Sequence, residues 1–179
     1  MPPVTPKRPN CIQPKERHMA DEDDKKFMAR AIELSRITSM VESAGGVFGC
    51  VIVKDGKIIG EGANRVVAEN DPTWHGEIEA IRNACKAEGS FKLEGATLYT
   101  SAEPCPMCMG ATYWAGIEKV FYAASVEDAL EYGNFDDSKI YAEIRKPVDQ
   151  RDMPIKQIMR AEAVEIWKMY QAKTDRVQY

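Results

Sequence analysis

Two short motifs, HGE at residues 75–77 and PCPMC at residues 104–108, each stand where a helical pattern begins. Apolar residues recur at helical spacing in EIEAIRNACKA after the first motif. The second motif follows the strand-like ATLYTS and begins the helical CPMCMGATYWAG. Two helix N-termini directed at one point would suit thiolates, because the helix dipole stabilises negative charge there. The chain is therefore limited to folds that bring both helix starts together.

The rest of the chain alternates strand and helix patterns. An amphipathic helix after the acidic run DEDD is predicted from apolar residues at steps of three and four, namely Phe27, Ala31, Leu34, Ile37 and Val41. AGG (44–46) ends this helix, and two apolar runs around an Asp-Gly turn predict a hairpin. KVFYAA (119–124) predicts a further strand. This alternation predicts an α/β sandwich with a partly parallel sheet.

Length and composition indicate one globular domain with a tail. Of the 179 residues, 1–19 are rich in proline and predict a mobile tail, while 20–179 form the predicted domain. A net charge of -4 makes the chain a poor generic binder of nucleic acid. No apolar run approaches the roughly 18 residues that span a bilayer, and the first residues lack a secretory signal. We therefore expect a cytoplasmic protein.

The five cysteines do not predict a disulfide framework, because their number is odd and no export signal precedes them. Cys50 lies in an apolar run and Cys85 on a helix face, so both are expected to be small buried side chains. Cys11 lies in the tail and is expected to be inert. Only Cys105 and Cys108 remain for metal binding or redox chemistry.

A C-x-x-C pair alone leaves three interpretations open: a redox pair, half of a structural zinc site, or coincidence. His75 stands thirty residues before Cys105 and also begins a helix. His75, Cys105 and Cys108 together would leave the fourth tetrahedral position of zinc for water, which is typical of a catalytic site. Glu77 would then be a carboxylate outside the ligand set, able to take a proton from that water and return it.

H-x-E followed by P-C-x-x-C is the signature of zinc-dependent nucleobase deaminases, so the chain resembles the cytidine/nucleobase deaminase superfamily. The segments GGVFGCVIVKDGKIIGEGANRV, NDPTWHGEIEAIRNACK and FDDSKIYAEIRKP look most like bacterial guanine deaminases, over about residues 25–179. The resemblance implies a three-layer α-β-α sandwich with a mixed five-stranded sheet. It also implies hydrolysis of guanine to xanthine and ammonia, and a homodimer that exchanges its C-terminal helix.

The resemblance also implies substrate contacts at Phe48, Asn64, Asp137 and Tyr179, the last from the partner chain. Trp114 is a second aromatic that could stack on a purine. Each position has a simpler interpretation. Phe48 could be core and Asn64 a turn residue, Asp137 could cap a helix, Trp114 could only pack, and Tyr179 could be a frayed end.

Two departures from the family affect the substrate more than the metal. Val47 stands where the family usually has proline, and Gly76 where it usually has alanine. Guanosine, cytosine and related rings therefore remain alternative substrates. A tRNA adenosine deaminase is disfavoured by the acidic balance of the chain, and a catalytically dead zinc-stabilised domain by the intact Glu77.

Overall fold

The computed structural model describes residues 21–177. The predicted tail, with Cys11, and the terminal Tyr179 lie outside these residues. The chain divides into two compact units, Met1–Phe135 and Asp136–Tyr179, which are described separately below. The single domain expected from residue 20 onward thus contains two units.

The first unit is built on a mixed sheet. Its strands are β1 (Gly49–Lys54), β2 (Lys57–Ala63), β3 (Thr97–Ala102) and β4 (Lys119–Ala124). Their order is β2-β1-β3-β4, with β1 antiparallel to β2 and β3, and β3 parallel to β4. Asp55 and Gly56 have φ values of 50° and 72°, as the predicted Asp-Gly hairpin turn requires.

The α/β class is confirmed, but the expected number of five strands is wrong, since the sheet has four strands within residues 21–177. After Phe135 the chain continues into helix α6 (Ser138–Arg145) rather than into a strand. Ile140, Tyr141 and Ile144 recur there at intervals of one, three and four residues, which favours a helix over the strict alternation of a strand.

The helices of the first unit lie between and beside these strands. They are α1 (Glu22–Arg36), α2 (Val66–Glu69), α3 (Gly76–Glu88), α4 (Pro106–Ala115) and α5 (Val126–Gly133). Asp21 and Asp24 form a capping box at the start of α1, which explains the acidic run. Gly89 and Gly116 end α3 and α4 with positive φ, as C-terminal glycines commonly do.

The inward face of α1 changes near its end. Phe27 and Ala31 are buried as predicted, but Val41 is 66% exposed and Thr38 is buried instead. A π-helical turn, Ile37–Val41, follows α1 and places more residues in each turn than an α-helix does. The three-and-four spacing used for the prediction therefore fails in this last turn.

Alternate residues of the strands point to opposite faces of the sheet and form two apolar clusters. On one face Phe27, Val51, Val53 and Tyr99 pack together, which joins α1 to the sheet. The cluster on the other face joins α3 and α4 to it and includes Cys50, Ile52, Ala80, Ala84, Leu98 and Ala115. Cys50 is buried as expected, and Cys85 packs half-buried against this second cluster.

Helix α3 lies directly on the backbone of β2, because β2 presents glycines at the contact. A Cβ atom at Gly60 would lie 2.4 Å from the Ala80 carbonyl oxygen, and one at Gly62 would lie 2.2 Å from that of Gly76. These positions therefore exclude any side chain. The close approach fixes the N-terminus of α3 beside the end of β2.

The second unit contains α6, a 3₁₀ turn (Val148–Gln150) and α7 (Arg160–Ala172). No residue of α6 or α7 is buried. Lys146 pairs with Glu143 and, at 3.1 Å, with Asp152. Between residues 21 and 177, no helix combines the length and apolar character needed to cross a membrane.

Candidate active site

Three potential metal ligands meet where α3 and α4 begin. His75 is the N-cap of α3, Cys105 is the N-cap of α4, and Cys108 lies in the first turn of α4. The two sulfur atoms are 3.6 Å apart, and His75 Nδ1 lies 3.6 Å from Cys105 Sγ and 3.5 Å from Cys108 Sγ. The predicted meeting of the two helix starts is therefore present.

These three distances fit the edges of a zinc tetrahedron. With bonds of about 2.3 Å to sulfur and about 2.0 Å to nitrogen, zinc separates two sulfurs by about 3.8 Å and sulfur from nitrogen by about 3.5 Å. The triangle of donor atoms is close to that shape without rearrangement. Within residues 21–177, this is the one group of three or more such donors.

The protonation of the two thiols also suits a cation. The contact with Cys108 lowers the pKa of Cys105 to about 4, and the His75 ring lowers it further against the opposing effect of burial. The same contact, burial and the Glu77 carboxylate raise the pKa of Cys108 far above its ordinary value. A thiolate at Cys105 is a negative charge that a soft metal cation can neutralise.

Glu77 lies beside this group without being part of it. The side chain is only 4% exposed, and Oε2 lies 3.4 Å from Cys108 Sγ. The other oxygen, Oε1, accepts a hydrogen bond from Thr100 at 3.1 Å. Burial raises the pKa of the Glu77 carboxyl, so this group holds a proton more readily than a surface glutamate does.

Glu79, a second carboxylate in the first turn of α3, has a different task. Its Oε2 accepts a hydrogen bond from the backbone N–H of Ala63 at 2.8 Å, at the end of β2. Glu79 therefore ties α3 to the sheet, whereas Glu77 faces the metal-binding group. The role of Glu77 as a carboxylate outside the ligand set stays a prediction.

Phe48 lies outside both apolar clusters and lines a groove of about 390 Å³. Its ring contacts Phe135 edge to face, with the ring centres 5.0 Å apart. Ser101 and Ala102 at the end of β3 line the same groove. Phe48 is therefore not a core residue of the sheet, and its contact with substrate stays a prediction.

Asn64 is buried and holds the loop that carries Phe48. Its Oδ1 accepts from the backbone N–H groups of Gly46 at 3.1 Å and Val66 at 3.2 Å. Its backbone N–H donates to the Phe48 carbonyl at 2.8 Å. Asn64 thus has the turn role considered for it. This role uses the side-chain oxygen as acceptor, and the side-chain amide N–H donors take part in none of these bonds.

Of the other three predicted substrate contacts, two lie among the described residues. Trp114 is 66% exposed near the end of α4 and does not line the groove around Phe48. Asp137 belongs to the second unit, at the N-cap of α6, where Asp136 rather than Asp137 accepts from Ser138. The side chain of Asp137 therefore makes no capping hydrogen bond at this position. Tyr179 lies outside the described residues.

The two departures from the family lie next to Phe48. Val47 is exposed and lines the groove, and its carbonyl faces Ser101 Oγ at 3.4 Å. A Cβ atom at Gly76 would lie 3.2 Å from the Phe48 carbonyl oxygen, which is a tight contact. Val47 is therefore part of the groove wall, whereas Gly76, between His75 and Glu77 in the sequence, adjoins the backbone of Phe48.

Two hydroxyls of β3 were missed by the sequence analysis. Thr100 donates to Glu77 on one face of the sheet, and Ser101 accepts from the Gly49 N–H at 2.9 Å on the other. Nothing in ATLYTS distinguishes them, since buried strands often contain threonine and serine. The one available signal was the position of Thr100 five residues, and of Ser101 four residues, before Cys105.

A family model described as the cytidine and deoxycytidylate deaminase zinc-binding region matches residues 21–124. This range contains His75, Glu77, Cys105 and Cys108. The chain belongs to this deaminase family. The expected zinc cofactor is confirmed by the zinc-binding region and by the triangle of donor atoms. The deaminase is accordingly a zinc-dependent aminohydrolase.

Relatives of the deaminase agree with the resemblance found in its sequence. It is 49% identical to guanine deaminase of Bacillus subtilis over 152 residues, 83% of this chain and 96% of the relative. The X-ray structure of guanine deaminase from Bacillus subtilis matches with a TM-score of 0.82 and 46% identity, covering 87% of this chain and 98% of that one. A tRNA-specific adenosine deaminase of Haemophilus influenzae is 38% identical over 125 residues, 66% of this chain and 70% of the relative.

Proposed function

We propose that the protein hydrolyses guanine to xanthine and ammonia. The proposal rests above all on one observation: the buried Glu77 carboxylate lies beside the three metal-binding atoms but is not one of that group. Identity to the Bacillus subtilis guanine deaminase over most of the chain supports guanine as the substrate. The tRNA-specific relative matches a shorter range at lower identity, and the net charge of -4 does not favour a tRNA surface.

The reaction forms a bond between C2 of guanine and a water oxygen and breaks the bond from C2 to the amino nitrogen. When bound, zinc would lower the pKa of a coordinated water towards neutrality. Glu77 would accept a proton from the attacking water, give it to a ring nitrogen, and then carry a second proton to the departing amine. The raised pKa of Glu77 suits this role, because the carboxyl must hold a proton between the two transfers.

Asn64 would recognise the acceptor edge of the base. Its Oδ1 is engaged by the Gly46 and Val66 N–H groups, so the side chain offers N–H donors to a ligand. Guanine carries the acceptors O6 and N7. Asp137, an acceptor when ionised, would complement the N–H and amino donors of the base, while Phe48 or Trp114 would stack on the ring and Tyr179 would close the site.

A panel of guanine, guanosine, cytosine, adenine and a tRNA, scored by release of ammonia, tests the substrate. We expect guanine to give the highest kcat/KM and the tRNA to give no product. Faster turnover of guanosine or cytosine would overturn guanine as the substrate without affecting the zinc chemistry.

His75→Ala should lose zinc in a metal analysis, and retention of a full equivalent would contradict the ligand role of His75.

We also infer a homodimer in which the C-terminal segment completes the partner's site. Exposed large apolar side chains in the second unit support this inference, because apolar surface of this extent commonly marks an interface; they include Ile158, Met159, Ile166, Trp167 and Met169. The four described cysteines are free. Cys105 and Cys108 must stay reduced to hold zinc, and the cytoplasm keeps thiols reduced, which supports a cytoplasmic location.

Co-expression of two inactive variants tests the exchange. One is Glu77→Gln with an intact C-terminus, and the other retains Glu77 but lacks the last three residues. If Tyr179 acts in the partner's site, random pairing restores one of two sites in half of the dimers, or about a quarter of wild-type activity. No restoration in a proven heterodimer would show that each C-terminus serves its own chain.

A further inference from the structure

The Glu77 carboxylate is held by a residue outside both metal motifs. Thr100, in β3, is fully buried, and its Oγ1 lies 3.1 Å from Glu77 Oε1. An ionised carboxylate only accepts hydrogen bonds, so the threonine hydroxyl is the donor. The other oxygen, Oε2, lies 3.4 Å from Cys108 Sγ and therefore faces the metal-binding group.

We propose that Thr100 is a positioning residue, whose hydroxyl fixes one oxygen of Glu77 so that the other is directed at the metal-binding group. The inference rests on the proposed proton transfer by Glu77. A glutamate side chain has three rotatable torsions, and a single anchor on one oxygen removes much of the freedom of the last of them. The anchored carboxylate meets water and substrate without first having to be oriented.

The location of Thr100 suits an anchor. It pairs with Cys50 of β1 and with Tyr122 of β4, so its backbone is fixed on both sides in the interior of the sheet. Its β-branched side chain also has restricted χ1 freedom. A hydroxyl on such a scaffold has a defined direction, whereas one on a loop would have to be ordered separately.

Thr100 has no part in the proposed contacts with the base. Those contacts come from the loop that holds Phe48 and Asn64 and from the second unit. Loss of the anchor should therefore lower kcat while leaving KM nearly unchanged, since the orientation of the proton carrier matters in the transition state rather than in substrate binding. A residue that only filled space in the core would change stability instead.

Three variants separate the hydroxyl from the volume of the side chain. Thr100→Val keeps the shape and removes the hydroxyl, whereas Thr100→Ser keeps the hydroxyl and removes the methyl group. Thr97→Val makes the same chemical change three residues earlier on β3, about 10 Å away along the strand. Each is measured for kcat and KM on guanine, zinc content and melting temperature.

We expect kcat of Thr100→Val to fall on the order of 10- to 100-fold with a full equivalent of zinc and little change in KM. Thr100→Ser should recover most of this loss, and Thr97→Val should behave as wild type. Wild-type kcat in Thr100→Val, or a loss in Thr100→Ser as large as in Thr100→Val, would overturn the proposal.

A crystal structure of zinc-loaded Thr100→Val gives a second readout that does not depend on the substrate. We expect the Glu77 carboxylate to be rotated or to occupy more than one conformation. An unmoved, single conformation would overturn the positioning role even if guanine proved to be the wrong substrate. If wild type instead fails on guanine while this rotation is seen, only the substrate proposal fails.

Discussion

The two units of the chain differ in how far their apolar side chains are buried. In the first unit, Leu98 and its neighbours are fully buried in clusters on the two faces of the sheet. In the second unit, Ile158 is 79% exposed, and neither α6 nor α7 buries any residue. The first unit thus has a core of its own, whereas α6 and α7 of the second unit carry apolar surface and no buried residue.

This difference parallels a difference in proposed function between the two units. The metal-binding atoms and Glu77 lie on helices that pack against the first unit's sheet, so the chemistry is built on a rigid scaffold. Asp137 and Tyr179, two proposed substrate contacts, belong to the second unit. Metal chemistry and substrate choice should therefore respond differently to mutation, and the experiments below test that separation.

Glu77→Gln should have the largest effect. The amide cannot carry a proton, so we expect kcat to fall by about 10²- to 10⁴-fold while zinc remains bound. Metal analysis and steady-state kinetics measure the two outcomes. Glu79→Gln is the matched control in the same helical turn, because the amide oxygen can still accept from the Ala63 N–H. Loss of zinc in Glu77→Gln would show that Glu77 is a ligand instead.

The next largest effect compares one apolar truncation in each unit. Leu98→Ala removes a fully buried side chain and should lower the free energy of unfolding by about 2–5 kcal/mol. Ile166→Ala removes an exposed one and should cost less than about 0.5 kcal/mol in the monomer. Denaturant unfolding at several protein concentrations measures both.

A cost for Ile166→Ala that appears only at concentrations where the dimer forms would show that a partner covers the second unit. An equally large cost for the two variants at every concentration would contradict the contrast between the units. The comparison therefore separates a missing core from a core that is completed by association.

The sequence predicted the metal site because its information is local. His75, Cys105 and Cys108 each lie at the start of a recognisable helix, and zinc requires few donors at a fixed geometry. Glu77 followed from the same motif. The hairpin also depended on a two-residue signal, Asp55-Gly56, whose conformation is restricted by steric hindrance within the turn itself.

What the sequence missed depends on contacts between distant residues. The fifth strand implied by the resemblance is absent from residues 21–177, because the number of strands depends on which distant segments pair rather than on a local motif. Val41 was placed inside because the π-helical turn is not visible in a pattern of three and four. The hydrogen bonds of Thr100 and Ser101 depend on the packing of β3 against α3 and β1. No spacing of residues along the chain predicts that packing.

A smaller effect is expected on the other face of the sheet, where α1 is fastened. Tyr99 donates a hydrogen bond to the buried Asp24 carboxylate, and burial raises the pKa of the Tyr99 phenol, which keeps it protonated as a donor. Tyr99→Phe should lower the free energy of unfolding by about 1–3 kcal/mol. Tyr122→Phe, at a half-exposed position of β4, is the control.

Zinc content and kcat should stay unchanged in Tyr99→Phe, because Asp24 and Glu77 lie on opposite faces of the sheet. Chemical denaturation followed by tryptophan fluorescence measures the stability. A fall in kcat without a fall in stability would show that the two faces are coupled, and the separation of stability from chemistry would then fail within the first unit itself.

Gly76→Ala should have the smallest effect and tests the departure from the family. The new Cβ would meet the Phe48 carbonyl at 3.2 Å, and that carbonyl accepts from Asn64, so a small displacement would reach the loop that we propose binds the base. We expect KM for guanine to change by on the order of threefold with kcat unchanged. Gly110→Ala, where a Cβ meets nothing within 4 Å, isolates the helix preference for alanine, about 1 kcal/mol or less. A fall in kcat with constant KM in Gly76→Ala would instead show that this glycine affects proton transfer by Glu77. Substrate choice would then no longer be separable from the metal chemistry at the start of α3.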